Sequence, residues 1–426
     1  MPRDGAYRWW VVAMLWFVCL FNYADRQAIF SVFPVLKTQL HLSDVELGVV
    51  GSSFMWMYAL FGPVAGWLGD RFKRKSIIIG ALVFWSGVTA ATALCHGFWE
   101  LTFVRALGGL GEAFYFPAAM SLISDYHSGA TRSRAMSLHQ SSVYAGTIAG
   151  ASVAGYVAQY YGWKWSFILF GAIGWIIALL LAVLLREPER ECGGGVSACI
   201  PAVEDKAHPS GGSVREGLKE IFSNRMVAIL ALVFIGANFV AVVFLTWMPS
   251  FLYRKFHMTL SMAGLNATAY IQMAAVLGVL SGGLLADTMS RRRPGGRMLT
   301  QAIGLFGGVP FLFLTGWTLS LTVLALAMIA FGYFKGMYDA NIFASLYDVV
   351  DVRRRAAAAG ILNSIGWLGG GLAPIAVAKA SERYGMSACI SATCAIYFGI
   401  ACLLVWGVRH YISGRAATEA VTTVAV

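Results

Sequence analysis

Apolar runs alternate with short polar clusters along the whole chain. Each run is about 18 to 25 residues long, enough for a helix to cross roughly 30 Å of hydrocarbon. In lipid only helices and closed barrels satisfy their own backbone, and these runs lack the period-two alternation of barrel strands. The pattern predicts an all-α membrane protein with twelve spans, over residues 9–33, 45–68, 76–95, 101–123, 135–158, 164–185, 226–252, 262–286, 299–317, 321–347, 356–378 and 386–408. From Arg3 to Tyr23 a short basic start leads into an apolar run, as a cleavable signal peptide would. No small-x-small cleavage pattern follows, and the run continues through Asp25-Arg26 to Phe33, so a retained first span is expected.

Between Arg186 and Met226 the apolar pattern stops. Cys192-Gly193-Gly194-Gly195 and Pro209-Ser210-Gly211-Gly212 read as a flexible linker, with a short surface helix expected over Val214–Phe222. The chain therefore divides into a six-helix bundle over 1–186, a linker over 187–222, a second six-helix bundle over 223–412, and a tail over 413–426. The halves share landmarks at nearly one offset. Asp70 and Asp287 close spans 2 and 8, 217 positions apart; Ser121-Leu122 and Ser345-Leu346 lie 224 apart; Tyr161-Gly162 and Tyr384-Gly385 lie 223 apart. Duplicated bundles around a central cavity are a common architecture of alternating-access carriers, so a pseudo-symmetric pair of bundles is expected.

Composition sharpens this reading. Only 12% of residues are charged, against about 25% in soluble domains. Of the 32 Lys and Arg, this topology places 23 on the face carrying the termini, 6 on the other face, counting Lys164 at the edge of its span, and 3 deep inside spans. The positive-inside rule then puts both termini in the cytoplasm. The net charge of +11 reflects that topology, and no nucleic-acid partner is expected. The seven cysteines lack metal-ligand spacing and read as packing residues, so neither a metal nor an organic cofactor is expected. Two His beside a Glu at helical spacing, a phosphate-binding Gly-rich segment and a polar stripe through the whole membrane are all missing from the sequence. Enzyme, energy-driven pump and channel are set aside on that ground.

Six Asp, Glu, Lys or Arg residues fall deep within spans: Asp25, Arg26, Arg105, Glu112, Lys335 and Asp339. Each costs about 2.5–3.5 kcal/mol at mid-membrane, so a functional reason is expected. Arg105 and Glu112 are seven apart, two helical turns, and face one cavity roughly 10 Å apart. Asp25 and Arg26 point about 100° apart, which frees Arg26 for a substrate while Asp25 approaches span 4. Desolvation favours a neutral acid and a nearby guanidinium favours the anion. Asp25 and Glu112 are thus the expected proton-coupling sites, with the proton as coupling ion, and Arg26 and Arg105 the groups that engage an anionic substrate. Lys335 and Asp339 stand at i,i+4, where a substrate role for Lys335 and a static pair weigh equally. Tyr23, Tyr58, Gln140, Tyr144, Asn341 and Asn363 are candidate polar cavity contacts, and His139 reads as a packed, satisfied residue. Gly146, Gly150 and Gly155, with Gly366 and Gly369 to Gly371, are expected to permit close helix packing.

The sharpest motif is Gly66-Trp67-Leu68-Gly69-Asp70-Arg71-Phe72-Lys73-Arg74-Lys75 between spans 2 and 3. It resembles the loop signature of the major facilitator superfamily, and a weaker copy from Gly283 to Arg292 occupies the matching loop of the second half. The resemblance implies a cytoplasmic gate built from Gly66, Asp70, Arg71, Arg74, Arg134 and Asp287, looser in the second copy, where Thr288 follows Asp287. Asn22-Tyr23-Ala24-Asp25-Arg26, Arg105 and Gly111-Glu112-Ala113 are similar to organic anion:proton symporters that carry sugar acids. That resemblance implies the proton and anion roles given above, and sugar contacts for Tyr23 and Tyr58. Ser121-Leu122-Ile123-Ser124-Asp125-Tyr126 and Trp247-Met248-Pro249-Ser250-Phe251-Leu252 also resemble Spinster-type carriers, which are associated with lysolipids. Three intramembrane cations favour a small anion such as a hexuronate or aldonate, while Phe114, Tyr115 and Phe116 beside Glu112 leave an amphiphile open. A monomer in a bacterial inner membrane is expected.

Overall fold

The computed structural model describes residues 4–127, 129–187, 224–350 and 355–412. The expected linker beyond Glu187, its Val214–Phe222 helix and the tail lie outside the described residues. The first half comprises α1 (Asp4–Gln39), α2 (Asp44–Arg71), α3 (Arg74–Thr92), α4 (Phe98–Ala113), α5 (Tyr115–Tyr126), α6 (Gly129–Tyr160) and α7 (Trp163–Leu184). The second comprises α8 (Arg225–Lys255), α9 (Leu260–Arg292), α10 (Gly296–Trp317), α11 (Leu321–Asp339), α12 (Ile342–Tyr347), α13 (Arg355–Gly370), α14 (Ala373–Tyr384) and α15 (Met386–Gly407).

Spans 4, 10 and 11 are each broken into two helices, where the apolar pattern predicts continuous ones. Pro117 lacks an N–H and crowds the carbonyl four residues back, at Ala113, where α4 ends. Pro374 does the same at Gly370, the end of α13. No proline marks the break after Asp339. There Asn341 donates from its side chain to the Met337 and Gly282 carbonyls.

Among the described residues, ten helical stretches are long and apolar enough to cross a bilayer. The 36-residue α1 and the 32-residue α6 complete the twelve-helix bundle, and both are less apolar for a physical reason. They lie against one another and turn Arg26, Gln27, Gln140 and Thr147 toward an internal cavity rather than toward lipid. Gly146 and Gly150 of α6 make the approach possible, because a Cβ at either would strike the Leu20 or Ala24 carbonyl of α1.

The two halves repeat one packing scheme. Span 1 packs on 5, 2 on 4 and 3 on 6; span 7 packs on 11, 8 on 10 and 9 on 12. The repeat extends to details that the sequence reading passed over. His41 and His257 both take a positive φ before the helix N-caps Ser43 and Thr259, and Gly162 and Gly385 both take one at the starts of α7 and α15.

Bonds between the halves run from mid-membrane to the end opposite the termini. Asp44 of α2 takes two hydrogen bonds from Arg254 of α8, at 2.8 and 3.0 Å, and pairs with Lys37 of α1 at 2.8 Å. Trp56 donates to the Leu368 carbonyl and Ser261 N–H to Gln159. Pro249 cannot donate to Leu245, and that freed carbonyl accepts instead from Gln27 of the other half, at 2.8 Å. Toward the termini face, a Cβ added at Gly66 or Gly283 would meet no atom within 4 Å. Gly66 and Gly283 therefore make no close approach in this conformation.

Candidate functional site

A cavity of about 770 Å³ lies between the halves. Its polar wall carries Tyr23, Arg26, Gln27, Tyr58, Gln140, Tyr144 and Thr147 from the first half, and Asn238, Lys335, Asp339 and Asn363 from the second. Much of the remaining wall is apolar, including Phe116, Met120, Phe234, Phe244, Ile342 and Phe343.

Arg26 is the charged centre of that wall. Its Nε and Nη2 donate to one oxygen of Glu112, at 3.2 and 3.1 Å, and Nη2 also reaches Asn22 at 3.4 Å. The pair is deeply buried, with 7% of Arg26 and 2% of Glu112 exposed. Four rings hold the guanidinium by cation–π contact: Tyr58 at 4.5 Å, Tyr23 at 4.7 Å, Phe54 at 4.9 Å and Trp367 at 5.6 Å. Such contacts fix a planar guanidinium and are worth about 0.5–2 kcal/mol each. Its Nη1 is buried without a hydrogen-bond partner.

Arg26, expected to be free for a substrate, instead reaches span 4 through Glu112. Asp25 stays within electrostatic reach of Arg105 on span 4, as expected. Asp25 turns to α3 and accepts from Thr89, and its other oxygen has no partner. Ala24 faces Gly150 of α6, and that packing fixes the rotation of α1, sending Asp25 and Arg26 to different neighbours. Arg105 is buried and does not line the cavity, contrary to its expected substrate contact. Phe54 stands between it and Arg26, with its ring 4.6 Å from the Arg105 guanidinium. Arg105 remains within electrostatic reach of Asp25 and Glu112, while its Nε and Nη2 lack partners. The four charges thus form one buried cluster of which Arg26 alone lines the cavity.

The other expected residues divide. Tyr23, Tyr58, Gln140, Tyr144, Lys335 and Asn363 line the cavity. Asn341 does not; its side chain is consumed by the carbonyls at the span 10 break. Lys335 and Asp339 form a direct ion pair on the cavity wall. His139 is buried and packed as expected, with Nε2 bonded to Tyr115 at 2.9 Å, but its Nδ1 is buried without a partner, so it is only half satisfied. Phe54, Trp367, Gln27 and Asn238 were missed. For Gln27 a signal existed in Pro249, which leaves a carbonyl needing a donor; the aromatic pair carried none.

At the termini face, the Asp70 side chain lies outside the described ones. Arg134 is exposed there. Arg74 pairs with Asp125, and the Arg74 and Lys75 N–H groups donate to Glu187 at 2.8 Å each. Asp287 is largely exposed, 4.0 Å from Arg297, which bonds Asp348 at 2.6 Å.

The chain is similar to protein spinster homolog 1 of Homo sapiens, 30% identical over 324 residues. That match covers 72% of this chain but only 59% of the human protein, so the chain spans about three-fifths of that relative. It is also similar to the hexuronate transporter of Bacillus subtilis (strain 168), 26% identical over 421 residues, covering 96% of this chain and 97% of that one. Among solved structures, a bacterial homolog of the human lysosomal transporter Spinster, inward-facing and unoccupied, superposes with a TM-score of 0.82. It shares 23% identity over 95% of this chain and 98% of that one, which speaks to the fold. Residues 15–374 and 253–422 match the Major Facilitator Superfamily, and the chain belongs to that family.

Proposed function

We propose that the protein is a secondary active transporter that couples symport of a small organic anion, of the sugar-acid class, to protons by alternating access. The observation that carries this reading is Arg26: a buried guanidinium on the cavity wall with one amino group unpartnered and its remaining donors on Glu112. A substrate carboxylate that takes the open amino group competes with Glu112 for the same cation. Once Arg26 turns to the substrate, Glu112 is a buried carboxylate without its counter-charge, a state that uptake of a proton relieves. Anion and proton then travel together. Asp25 and Arg105 complete the cluster from behind, sharing the charge change without touching the substrate. The hexuronate transporter among the relatives supports the sugar-acid assignment.

The closed end opposite the termini and the unpacked Gly66 and Gly283 correspond to a cavity open on the termini side. With the termini in the cytoplasm of a bacterial inner membrane, as the distribution of Lys and Arg supports, this conformation is inward-facing.

A second reading has its own support. The apolar wall around Phe116, Met120, Phe234 and Phe343 suits the chain of an amphiphile, with its anionic head on Arg26. The relation to protein spinster homolog 1 is consistent with it. Proteoliposomes holding a pH-sensitive dye, offered hexuronates, aldonates and lysophospholipids in turn, decide between the two. Lumenal acidification with a sugar acid, absent in Glu112→Gln, upholds the first reading. Silence toward every sugar acid with lysophospholipid movement intact replaces it by the second.

A further inference from the structure

A second cavity, of about 230 Å³, lies apart from the central one, at the end of the bundle opposite the termini. Ser250, Arg254 and Lys255 of α8 line it, together with Gly385, Met386 and Ser387 at the start of α15. Three features of this cavity point to one ligand chemistry.

The first is the 22-residue α15 itself. Gly385, at φ 77°, ends the preceding turn, and no side chain caps the helix. The first N–H groups of a helix have no intrahelical acceptor and carry the positive end of its dipole. The second is the pair of cations. Lys255 sits 4.9 Å from the Phe251 ring and donates to the Gly316 carbonyl, while Arg254 makes its bonds to Asp44. Lys37 and Arg254 both pair with the single carboxylate of Asp44, while Lys255 pairs with no carboxylate among the described ion pairs. The third is Ser250. It is 1% exposed, lines the cavity, and its hydroxyl is buried without a hydrogen-bond partner. A buried hydroxyl left unpaired is unfavourable, and a ligand acceptor would satisfy it.

We infer that this cavity binds a phosphate-type oxyanion, held by the α15 N-terminus, Lys255, Ser250 and Arg254. Occupancy has a consequence for the transport cycle. Arg254 also ties α8 to α2 through Asp44, across the closed end of the bundle. An oxyanion on Arg254 competes with Asp44, so the bound anion weakens the tie between the halves. By linkage, loss of the tie strengthens anion binding by the same factor. The phosphate can come from solution or from a lipid headgroup, since this end of the bundle lies at the membrane boundary.

The test is calorimetric titration of inorganic phosphate into the full-length protein in a maltoside detergent, which carries no phosphate, at fixed ionic strength. One saturable site is expected. Lys255→Gln and, separately, Ser250→Ala weaken it about tenfold or more, the scale of one charge-assisted or buried hydrogen bond. Asp44→Asn tightens it about tenfold. Lys37→Gln, which does not line the cavity and acts only through Asp44, weakens it far less than Lys255→Gln does, and Arg26→Gln in the central cavity leaves it near the wild-type value. Repeating the titration in phosphatidylglycerol nanodiscs separates the sources. Loss of the phosphate signal there assigns the site to a lipid headgroup, and persistence assigns it to the free anion. Absence of saturable binding in detergent overturns the inference. So does equal weakening by Lys37→Gln and Lys255→Gln, which would mean diffuse charge rather than a built site.

Discussion

Replacing Glu112 by Gln changes one oxygen to an amide nitrogen and removes one charge from the buried cluster. The remaining carbonyl oxygen still accepts from Arg26, so the α1–α4 contact survives and the fold is retained. What is lost is the competition between Glu112 and an incoming anion for the guanidinium. In the wild type, two donors of Arg26 rest on a charged oxygen at 3.1 and 3.2 Å. Hydrogen bonds of this kind are worth about 1.5–3 kcal/mol, and each 1.4 kcal/mol is tenfold, so the Gln variant should bind substrate about ten- to a hundredfold more tightly. Its binding should also be flat with pH. The sign follows from the geometry: in the wild type, protonation of Glu112 releases Arg26, so anion affinity rises as pH falls. Calorimetry in detergent reads the affinity, and a dye in proteoliposomes reads the proton. Exchange of labelled for unlabelled substrate, which needs no net proton movement, should continue while acidification stops. Wild-type acidification by the Gln variant, or a wild-type affinity that does not change with pH, would make Glu112 a static tie and refute the coupling argument.

Further outcomes follow from other contacts. Lys335→Gln leaves Asp339 unpaired on the cavity wall and should lower the melting temperature in detergent, whereas adding Asp339→Asn restores it, with a coupling of about 0.5–3 kcal/mol in the double-mutant cycle; restored uptake in the double variant marks the pair as structural, and lost uptake marks it as a substrate contact. Gly150→Ala drives a Cβ into the Ala24 carbonyl and should cost about 1–3 kcal/mol. Gly80→Ala, which meets nothing within 4 Å, should be neutral or stabilising by up to about 1 kcal/mol, and fluorescence-detected unfolding compares the two. Asp44→Asn releases both Lys37 and Arg254 and should raise maleimide labelling of a cysteine placed at Phe30, now 2% exposed, by about fivefold, the effect of roughly 1 kcal/mol on the opening equilibrium.

Charge was legible in the sequence because lipid makes it expensive. Asp25, Arg26, Arg105 and Glu112 stood out against an apolar background, and the structure brings all four together. Their partners were not legible. Adjacent residues on a helix point about 100° apart, which says that Asp25 and Arg26 diverge but not which way each turns. That choice rests on the packing of Gly146 and Gly150 against the carbonyls of α1, a contact between residues more than a hundred positions apart. Helix breaks were legible in principle at Pro117 and Pro374, each four residues beyond the last carbonyl it disrupts. The break after Asp339 was not, since a side chain from Asn341 serves it rather than a proline. Asn341 was itself misread, because an intramembrane amide satisfies backbone as readily as it contacts a ligand. The aromatic enclosure of Arg26 escaped notice for a similar reason: among 58 aromatic residues, nothing local separates Phe54 and Trp367 from lipid-facing rings.

The distribution of charge between the halves bears on how one scaffold serves different cargoes. All four members of the buried cluster come from the first half, and the ionisable residues that the second half adds to the cavity, Lys335 and Asp339, neutralise one another. The second half otherwise contributes neutral polar groups, the amides Asn238, Gln272 and Asn363 with Thr268 and Tyr347, and a largely apolar surface. Trp367, also from the second half, rests on Arg26 and on Tyr58, so movement of α13 reaches the guanidinium directly. Under the proposed symport, the first half would carry the proton chemistry and the anionic head, and the second half would shape the rest of the substrate. Carriers of different cargoes built on such a scaffold then need differ little around Arg26 and Glu112. Their selectivity would reside across the cavity, where exchanging Asn238, Phe234 and Phe343 changes which body fits behind a common anionic group. Substituting Asn238→Leu should therefore shift preference from a sugar acid toward an amphiphile while leaving proton movement per anion unchanged. A loss of coupling in that variant, with preference unaltered, would show that the two roles are not divided between the halves.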